Sequence, residues 1–369
     1  MKPDIEDFRR MTINVVVVTA AILLIMIIIL LLFSPGKTVP YLDDRGKPMA
    51  GSISEKTFLS IGGITQGMFI KSKNRKNPVL LYLHGGIPDY FLAEKYPTGL
   101  EEYFTVVWWD QRGAGLSYHS DIPSETLNLD QMISDTKEVT NYLRSRFGQE
   151  KIYLMGRSGG SYIGIQAAAN SPELYHAYIG VAQMSNQLES ERLAYKFLLK
   201  NYRQTGNRKM LRKLEAFPVT DVIPPEYLKL RDRTMHSLGV GTTHHMKSVV
   251  SGLFIPSLAH REFTLKEKYG LWRGKSESGV HPLWNSIIKT DLAQQTDKLN
   301  IPVYFFHGIY DYTVSYPLAK DYFEVLEAPK KGFYTFKNSA HSPHFEEPRR
   351  VKEIFINDIL KGGVSLADH

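Results

Sequence analysis

Three patterns of apolar and polar positions divide the chain. From Thr12 to Phe33 the sequence TINVVVVTAAILLIMIIILLLF carries no charge, and only Thr12, Asn14 and Thr19 are polar. At helical rise this stretch spans roughly 33 Å, enough to cross a bilayer. A secretory signal would have a shorter apolar run of about 7 to 15 residues and a small-residue cleavage site. This run ends instead in Phe33-Ser34-Pro35-Gly36. A buried helix that is apolar all round does not suit a domain of this size. The pattern therefore predicts a tail (residues 1–11) followed by an uncleaved, single-pass anchor (residues 12–33) in a lipid bilayer. Lys2, Arg9 and Arg10 precede the span and Lys37, Arg45 and Lys47 follow it, which nearly balances the positive-inside comparison. The short basic N-terminus favours N-inside, with the rest of the chain extracytoplasmic.

After a polar linker (residues 34–54) the pattern changes to short apolar runs separated by amphipathic ones. Lys56 to Ile61 and Gly67 to Lys71 predict two strands joined through Gly62-Gly63. Pro78 to Leu83, Phe104 to Trp109, Ile152 to Met155, Ala177 to Ala182, Val303 to Phe306 and Phe333 to Phe336 are β-rich and apolar almost throughout, as strands buried on both faces must be. Between two of them, Asn128 is placed to cap a helix that runs through Met132, Val139 and Leu143 and stops at Gly148. Strand and helix in alternation predict an α/β core with a mostly parallel sheet covered on both faces, residues 55–183 and 299–369. The alternation breaks over residues 184–298, where NQLESERLAYKFLLKNY and DRTMHSLGV read as helices. An insertion there would lie over the carboxyl ends of the strands as a helical cap.

Composition narrows the chemistry. The 369 residues contain no Cys, which excludes disulfides, thiolate metal sites and a Cys nucleophile. The net charge of +7 is not focused into an arm or repeat, and the Lys200 to Lys213 cluster reads as a solvated helix face. Nucleic acid is not an expected partner. His244-His245 lacks further spaced ligands, and Gly239 and Gly241 lack the Lys-Ser/Thr or third Gly of a phosphate loop. Neither metal nor cofactor is expected.

One motif points to catalysis. Gly156-Arg157-Ser158-Gly159-Gly160 is a G-x-S-x-G directly after the strand KIYLM and directly before the helix-like SYIGIQAAANS. Small residues on either side of Ser158 allow a sharp strand-to-helix turn that presents the hydroxyl above the sheet. The order that goes with such a turn is Ser, then Asp or Glu, then His. Asp311 follows the strand VYFFHG, and His341 follows GFYTF on NSAHSPHFEEP, with His344 as a rival base three residues on. An oxyanion hole needs two backbone N–H donors. Gly86 (or Ile87), in the loop His84-Gly85-Gly86 after PVLLYL, and Gly159 are the candidates, and His84 is expected to be a structural partner of its loop.

These residues bring a family with them. QGMFIK, LYLHGG, WWDQRGAGLSY, GRSGGS, HGIYDYT and AHSPHFEEP make the chain, from about Ser54 to Leu360, resemble the proline iminopeptidase (S33-like) branch of the α/β-hydrolases, closest to membrane-anchored bacterial relatives. The resemblance implies an α/β-hydrolase fold, Ser158 as nucleophile and Asp311 as acid. It implies His341 as base, since Glu346 and Pro348 then take their offsets in the closing H-x-x-x-x-E-x-P pattern. It also implies acidic residues in the cap that bind the amino group of a short peptide, for which Glu189 and Glu191 are candidates. One departure stands out: His84-Gly85-Gly86-Ile87-Pro88-Asp89-Tyr90 is shorter than the family's HGGPG loop and lacks its second Pro-Gly. The expected activity is acyl transfer to water from a short peptide or other small molecule. An ester hydrolase is the alternative, and a non-catalytic binding protein on the same fold is a third reading. Ser at the nucleophile position argues against epoxide hydrolases and dehalogenases of this fold, which use Asp.

Overall fold

The computed structural model describes residues 5–279 and 281–368. Helix α1 (Ile5–Leu32) contains the apolar run, and 18 consecutive residues within its Phe8–Leu32 part have a mean hydropathy of 3.5, none of them buried against the rest of the chain. It is long and apolar enough to cross a membrane.

The sheet holds the strands that the apolar runs predict: β1 (Ile53–Ile61), β2 (Ile64–Ser72), β3 (Val79–Leu83), β4 (Thr105–Trp109), β5 (Ile152–Arg157), β6 (Tyr175–Val181), β7 (Val303–Gly308) and β8 (Lys331–Phe336). Among the described residues their order is β1-β2-β4-β3-β5-β6-β7-β8. β1 and β2 form an antiparallel hairpin, with Gly62 and Gly63 at φ 54° and 79°, and β2 lies antiparallel to β4 with Met68 opposite Trp109. From β4 to β8 every pairing is parallel. Side chains of β3 and β5 alternate between two cores: Leu81, Leu83 and Leu154 on one face, and Leu80, Tyr82, Tyr153 and Met155 on the other. Both faces are dry, which explains why these strands read as continuous apolar runs rather than as alternation.

The helices form where the local chemistry supports them. In α2 (Leu129–Phe147), Asn128 Oδ1 accepts from the Gln131 N–H at 2.9 Å, and Gly148 closes the helix at φ 63°. Helix α3 (Gly159–Asn170) begins immediately after Ser158. Between β6 and β7 the chain leaves the sheet as α4 (Gln187–Gln204), α5 (Arg208–Glu215), α6 (Pro225–Leu238), α7 (Ile255–Ala259), α8 (Leu265–Glu277), α9 (Pro282–Lys289) and α10 (Leu292–Gln295). This insertion has its own small core around Tyr195, Leu198, Leu214, Tyr227 and Met235. Helix α11 (Tyr316–Val325) then connects β7 to β8.

The segment after α1 is held against the body of the protein. Gly36 N–H donates to Arg261 O at 3.1 Å and Val39 N–H to Glu262 Oε1 at 2.7 Å, while Lys71 pairs with the same carboxylate at 2.8 Å.

Candidate active site

The turn from β5 to α3 is built on close backbone approaches. A Cβ at Gly156 would lie 2.4 Å from Gly160 O, and one at Gly160 would lie 2.2 Å from Leu83 O, so only glycine fits at either position. Between them Ser158 adopts φ 54°, ψ −124°, a conformation that costs a non-glycine residue about 1–3 kcal/mol. Hydrogen bonds hold it there: Ser158 N–H donates to Val181 O at 3.0 Å, and Ser158 O accepts from Ser161 Oγ at 2.6 Å. The hydroxyl is thus lifted off the carboxyl end of the sheet, with the residue 7% exposed.

The loop after β3 packs directly on this serine. A Cβ at Gly85 would lie 2.8 Å from Ser158 Cβ and 3.2 Å from its Oγ. Gly86 faces the insertion instead, toward Lys275 and Ser278. Gly159 sits beside Gly85, and among the described residues neither the Gly86 N–H nor the Gly159 N–H meets an acceptor. His84 shapes this loop: its Nδ1 lies 2.6 Å from Gly85 O, and its Nε2 accepts from Gln111 N–H at 3.1 Å. Burial pushes the imidazole down to about 4, so it stays neutral and can accept that bond.

Asp311 and His341 meet on the loops after β7 and β8. His341 Nδ1 lies 2.8 Å from Asp311 Oδ2, with both side chains buried. Asp311 Oδ1 accepts from the N–H groups of Thr313 and Val314 at 2.8 and 2.9 Å, and His307 Nε2 lies 3.3 Å from Oδ2. Burial alone would raise this carboxyl, but the neighbouring imidazoles of His341 and His307 outweigh it and hold it well below the usual carboxylate range. His341 moves down to about 4, because burial, reinforced by the Arg157 guanidinium, outweighs the pull of Asp311. At neutral pH the pair is therefore an ionised carboxylate and a neutral imidazole.

His344 does not share this position. It is fully buried beside Phe345, its Nε2 is 3.3 Å from Tyr82 Oη, and burial holds it well below the ordinary imidazole range. The motif residue Glu346 explains the spacing of its pattern: Oε1 accepts from Ala340 N–H at 2.8 Å, fixing the residue before His341, and Oε2 accepts from His244 N–H at 2.6 Å.

Two features escaped the sequence reading. The first is Arg157, the variable residue of the serine motif, which lies buried at the centre of the loops. Its Nη1 pairs with Asp89 Oδ2 at 3.1 Å, its Nη2 donates to Ser342 Oγ at 2.7 Å, and its Nε donates to His341 O at 3.3 Å. Tyr82 Oη donates to the same Asp89 oxygen at 2.9 Å. One guanidinium thus ties the loop after β3, the serine turn and the His341 loop together. Asp89→Ala would leave this charge buried and unpaired, and is expected to lower stability by about 3–5 kcal/mol in urea denaturation. Replacing both partners, as Asp89→Leu with Arg157→Met, is expected to cost clearly less. Equal losses in the single and double variants would contradict the pairing.

The second is the charge balance of the insertion. Glu191 is fully buried and bound by Arg231 at 2.6 Å, with Gln187 Nε2 donating at 2.9 Å, and Arg231 Nη2 reaches Thr313 O at 3.1 Å beside the acid loop. Glu189 pairs with Arg192 at 3.0 Å. Asp232 is paired with Arg231 and with Lys275, at 3.3 and 3.4 Å. The carboxylates singled out for an amino group are therefore each engaged by an arginine already. The signal was absent from the local sequence because Arg231 lies a helix away from Glu191.

A mostly parallel sheet, a strained serine between strand and helix, and a helical insertion over the sheet's carboxyl edge define an α/β hydrolase. The sequence signature described as serine aminopeptidase, S33, matches residues 78–221. The Bacillus subtilis (strain 168) protein named probable aminopeptidase YbaC is 33% identical over 308 residues, covering 82% of this chain and 95% of its own. The chain belongs to the α/β-hydrolase superfamily, in its serine aminopeptidase S33 branch. Among solved structures, a proline iminopeptidase-related protein from Thermus thermophilus superposes with a TM-score of 0.59 at 20% identity, covering 85% of this chain and 99% of its own. An esterase from Exiguobacterium antarcticum superposes at 0.53 and 15% identity, covering 82% and 99%. These likenesses carry the fold alone.

Proposed function

We propose that the protein is a membrane-anchored serine hydrolase that works through an acyl-enzyme, with Ser158 as nucleophile, His341 as base and Asp311 as the acid behind it. The observation that carries this reading is the 2.8 Å contact between His341 Nδ1 and Asp311 Oδ2, on the same sheet edge as the strained Ser158. Ser158 Oγ attacks a substrate carbonyl while His341 Nε2 takes its proton, and Asp311 holds the Nδ1–H tautomer. The N–H groups of Gly86 and Gly159 receive the oxyanion. His341 then returns the proton to the leaving group, and water releases the acyl group by the same steps. Helix α1 supplies the anchor, and the basic N-terminus favours an extracytoplasmic catalytic domain.

Family membership favours release of N-terminal residues from short peptides. A second reading, hydrolysis of acyl esters, is favoured by one observation: Glu189 and Glu191 are paired with Arg192 and Arg231, so neither offers an unshared negative charge to a substrate ammonium. Hydrolysis of proline 4-nitroanilide and 4-nitrophenyl acetate by the full chain in detergent separates the two. A peptidase is expected to prefer the anilide and to lose it when the substrate amine is blocked, whereas an esterase prefers the acetate and is indifferent to the amine.

The pH dependence follows from His341. The imidazole acts only when neutral, and its proton leaves at about 4 rather than at the ordinary 6.5. Activity is therefore present above that value and lost as pH falls through it. The acid limb of kcat/KM, which reports the free enzyme, is expected near pH 4, provided the protein remains folded. A limb near 6.5 would contradict the neutral, buried imidazole.

A further inference from the structure

Three of the exposed apolar side chains outside α1 lie on one short helical stretch of the insertion. Val250, Phe254 and Ile255 are 58%, 39% and 55% exposed, on a continuous helical stretch, Val250–Ala259, within the insertion. The opposite side of this stretch is packed: Gly252, Leu253 and Ser257 are buried. A helix of a soluble domain normally turns its apolar side inward and its polar side out. This one buries one apolar side and leaves another open.

The position of the open side in the fold identifies what covers it. Lys268 Nζ donates to Leu258 O and to Phe33 O, each at 2.6 Å, and to Ser34 Oγ at 2.9 Å. Phe33 is the residue that follows α1. A single ammonium therefore joins the end of α1 to the end of the apolar stretch. The bonds from Gly36 to Arg261 and from Val39 to Glu262 extend that junction, and Val39 is itself 61% exposed. With α1 spanning a bilayer, the headgroup layer begins within one side chain's length of Leu258. Lys247, Arg261 and Lys266, all exposed, flank the stretch in sequence. Apolar residues bordered by Lys and Arg are the composition of an interfacial helix on an anionic surface.

We propose that Val250–Ala259 is a second membrane contact, with Val250, Phe254 and Ile255 seated at the headgroup–acyl boundary of the bilayer that α1 crosses. This rests on the anchor reading given under Proposed function. The seat is coupled to the site. His260 Nδ1 lies 3.0 Å from Glu94 Oε2, and Tyr90 Oη donates to Glu262 Oε2 at 2.9 Å. Tyr90 and Glu94 belong to the turn that directly follows the loop His84–Asp89. Seating this stretch therefore fixes the distance of that loop from the lipid surface.

The test uses the full chain in vesicles of phosphatidylcholine and phosphatidylglycerol. Because the sequence has no Cys, single labelling sites are made by Ile255→Cys, by Leu24→Cys in the middle of α1, and by Val325→Cys on α11, which is 56% exposed. Each carries an environment-sensitive fluorophore, and lipids bearing a nitroxide on the acyl chain are the quencher. The probes at Ile255 and Leu24 are expected to lose at least half of their emission to the nitroxide lipids, and the probe at Val325 less than a tenth. Phe254→Cys repeats the Ile255 result on a neighbouring side chain. If Leu24 is quenched and Ile255 and Phe254 behave like Val325, the second contact is wrong while the anchor stands. Quenching at Ile255 without quenching at Leu24 would overturn the anchor and leave a surface seat. Quenching at neither would overturn both.

Discussion

Ser158→Ala is expected to reduce kcat by about a million-fold, the scale seen when a serine nucleophile acting within a triad is removed. Its surroundings should hardly notice the change. The hydroxyl makes no hydrogen bond among the described residues, and the strained turn is held by Ser158 backbone atoms and by Gly156 and Gly160. Alanine takes the same φ of 54° at a cost similar to that of serine. The variant should therefore unfold at nearly the wild-type urea concentration while losing its turnover. Activity that survives in a folded Ser158→Ala protein would remove Ser158 from the chemistry.

Asp311→Asn is expected to lower kcat by about 10,000-fold. Asp311 accepts four contacts, from His341 Nδ1, His307 Nε2 and the N–H groups of Thr313 and Val314. An amide that keeps its oxygen toward the two backbone donors turns its NH2 toward His341. The imidazole must then accept at Nδ1 and carry its proton on Nε2, the atom that has to take the proton of Ser158. The geometry survives and the tautomer is wrong. A pre-steady-state burst tells this from a binding defect: the loss should fall on acylation, with KM little changed. A loss that appears only as a higher KM, with kcat unchanged, would place Asp311 in substrate binding instead.

The fold was legible because its signals are local. Apolar runs of strand length with no alternation required burial on both faces, and the parallel β3, β5, β6 and β7 fulfil it. Asn128 and Gly148 marked the two ends of α2 because capping is decided within one turn of the chain. The serine turn was legible for the same reason, since its steric requirement falls on Gly156 and Gly160, residues adjacent in the motif. Asp311 and His341 could be placed because each follows a strand whose carboxyl end is on the same edge.

The rest depended on distance in sequence. Arg157 and Asp89 are separated by 68 positions, and Glu191 and Arg231 by 40, so no period or spacing links them. Both pairs bury charge, and a buried charge is retained only where a partner and hydrogen bonds meet it. That condition is set by the fold and not by the neighbouring residues. Asp89 stands in the loop after β3, and its bond to Arg157 gives that loop a support of its own. The attachment of residues 34–39 to Lys268 and Glu262 was hidden likewise, because a polar segment after a long apolar helix reads as linker whether or not it is bound.

Reaction of the full chain with a fluorophosphonate probe, followed by mass mapping of the labelled peptide, examines the nucleophile without any assumption about substrate. A neutral His341 beside an ionised Asp311 should activate one serine above all others, so a single adduct on Ser158 is expected, abolished by Ser158→Ala and strongly slowed by Asp311→Asn. No labelling of the folded protein, or an adduct on another residue that persists in Ser158→Ala, would contradict acyl-enzyme chemistry at this site.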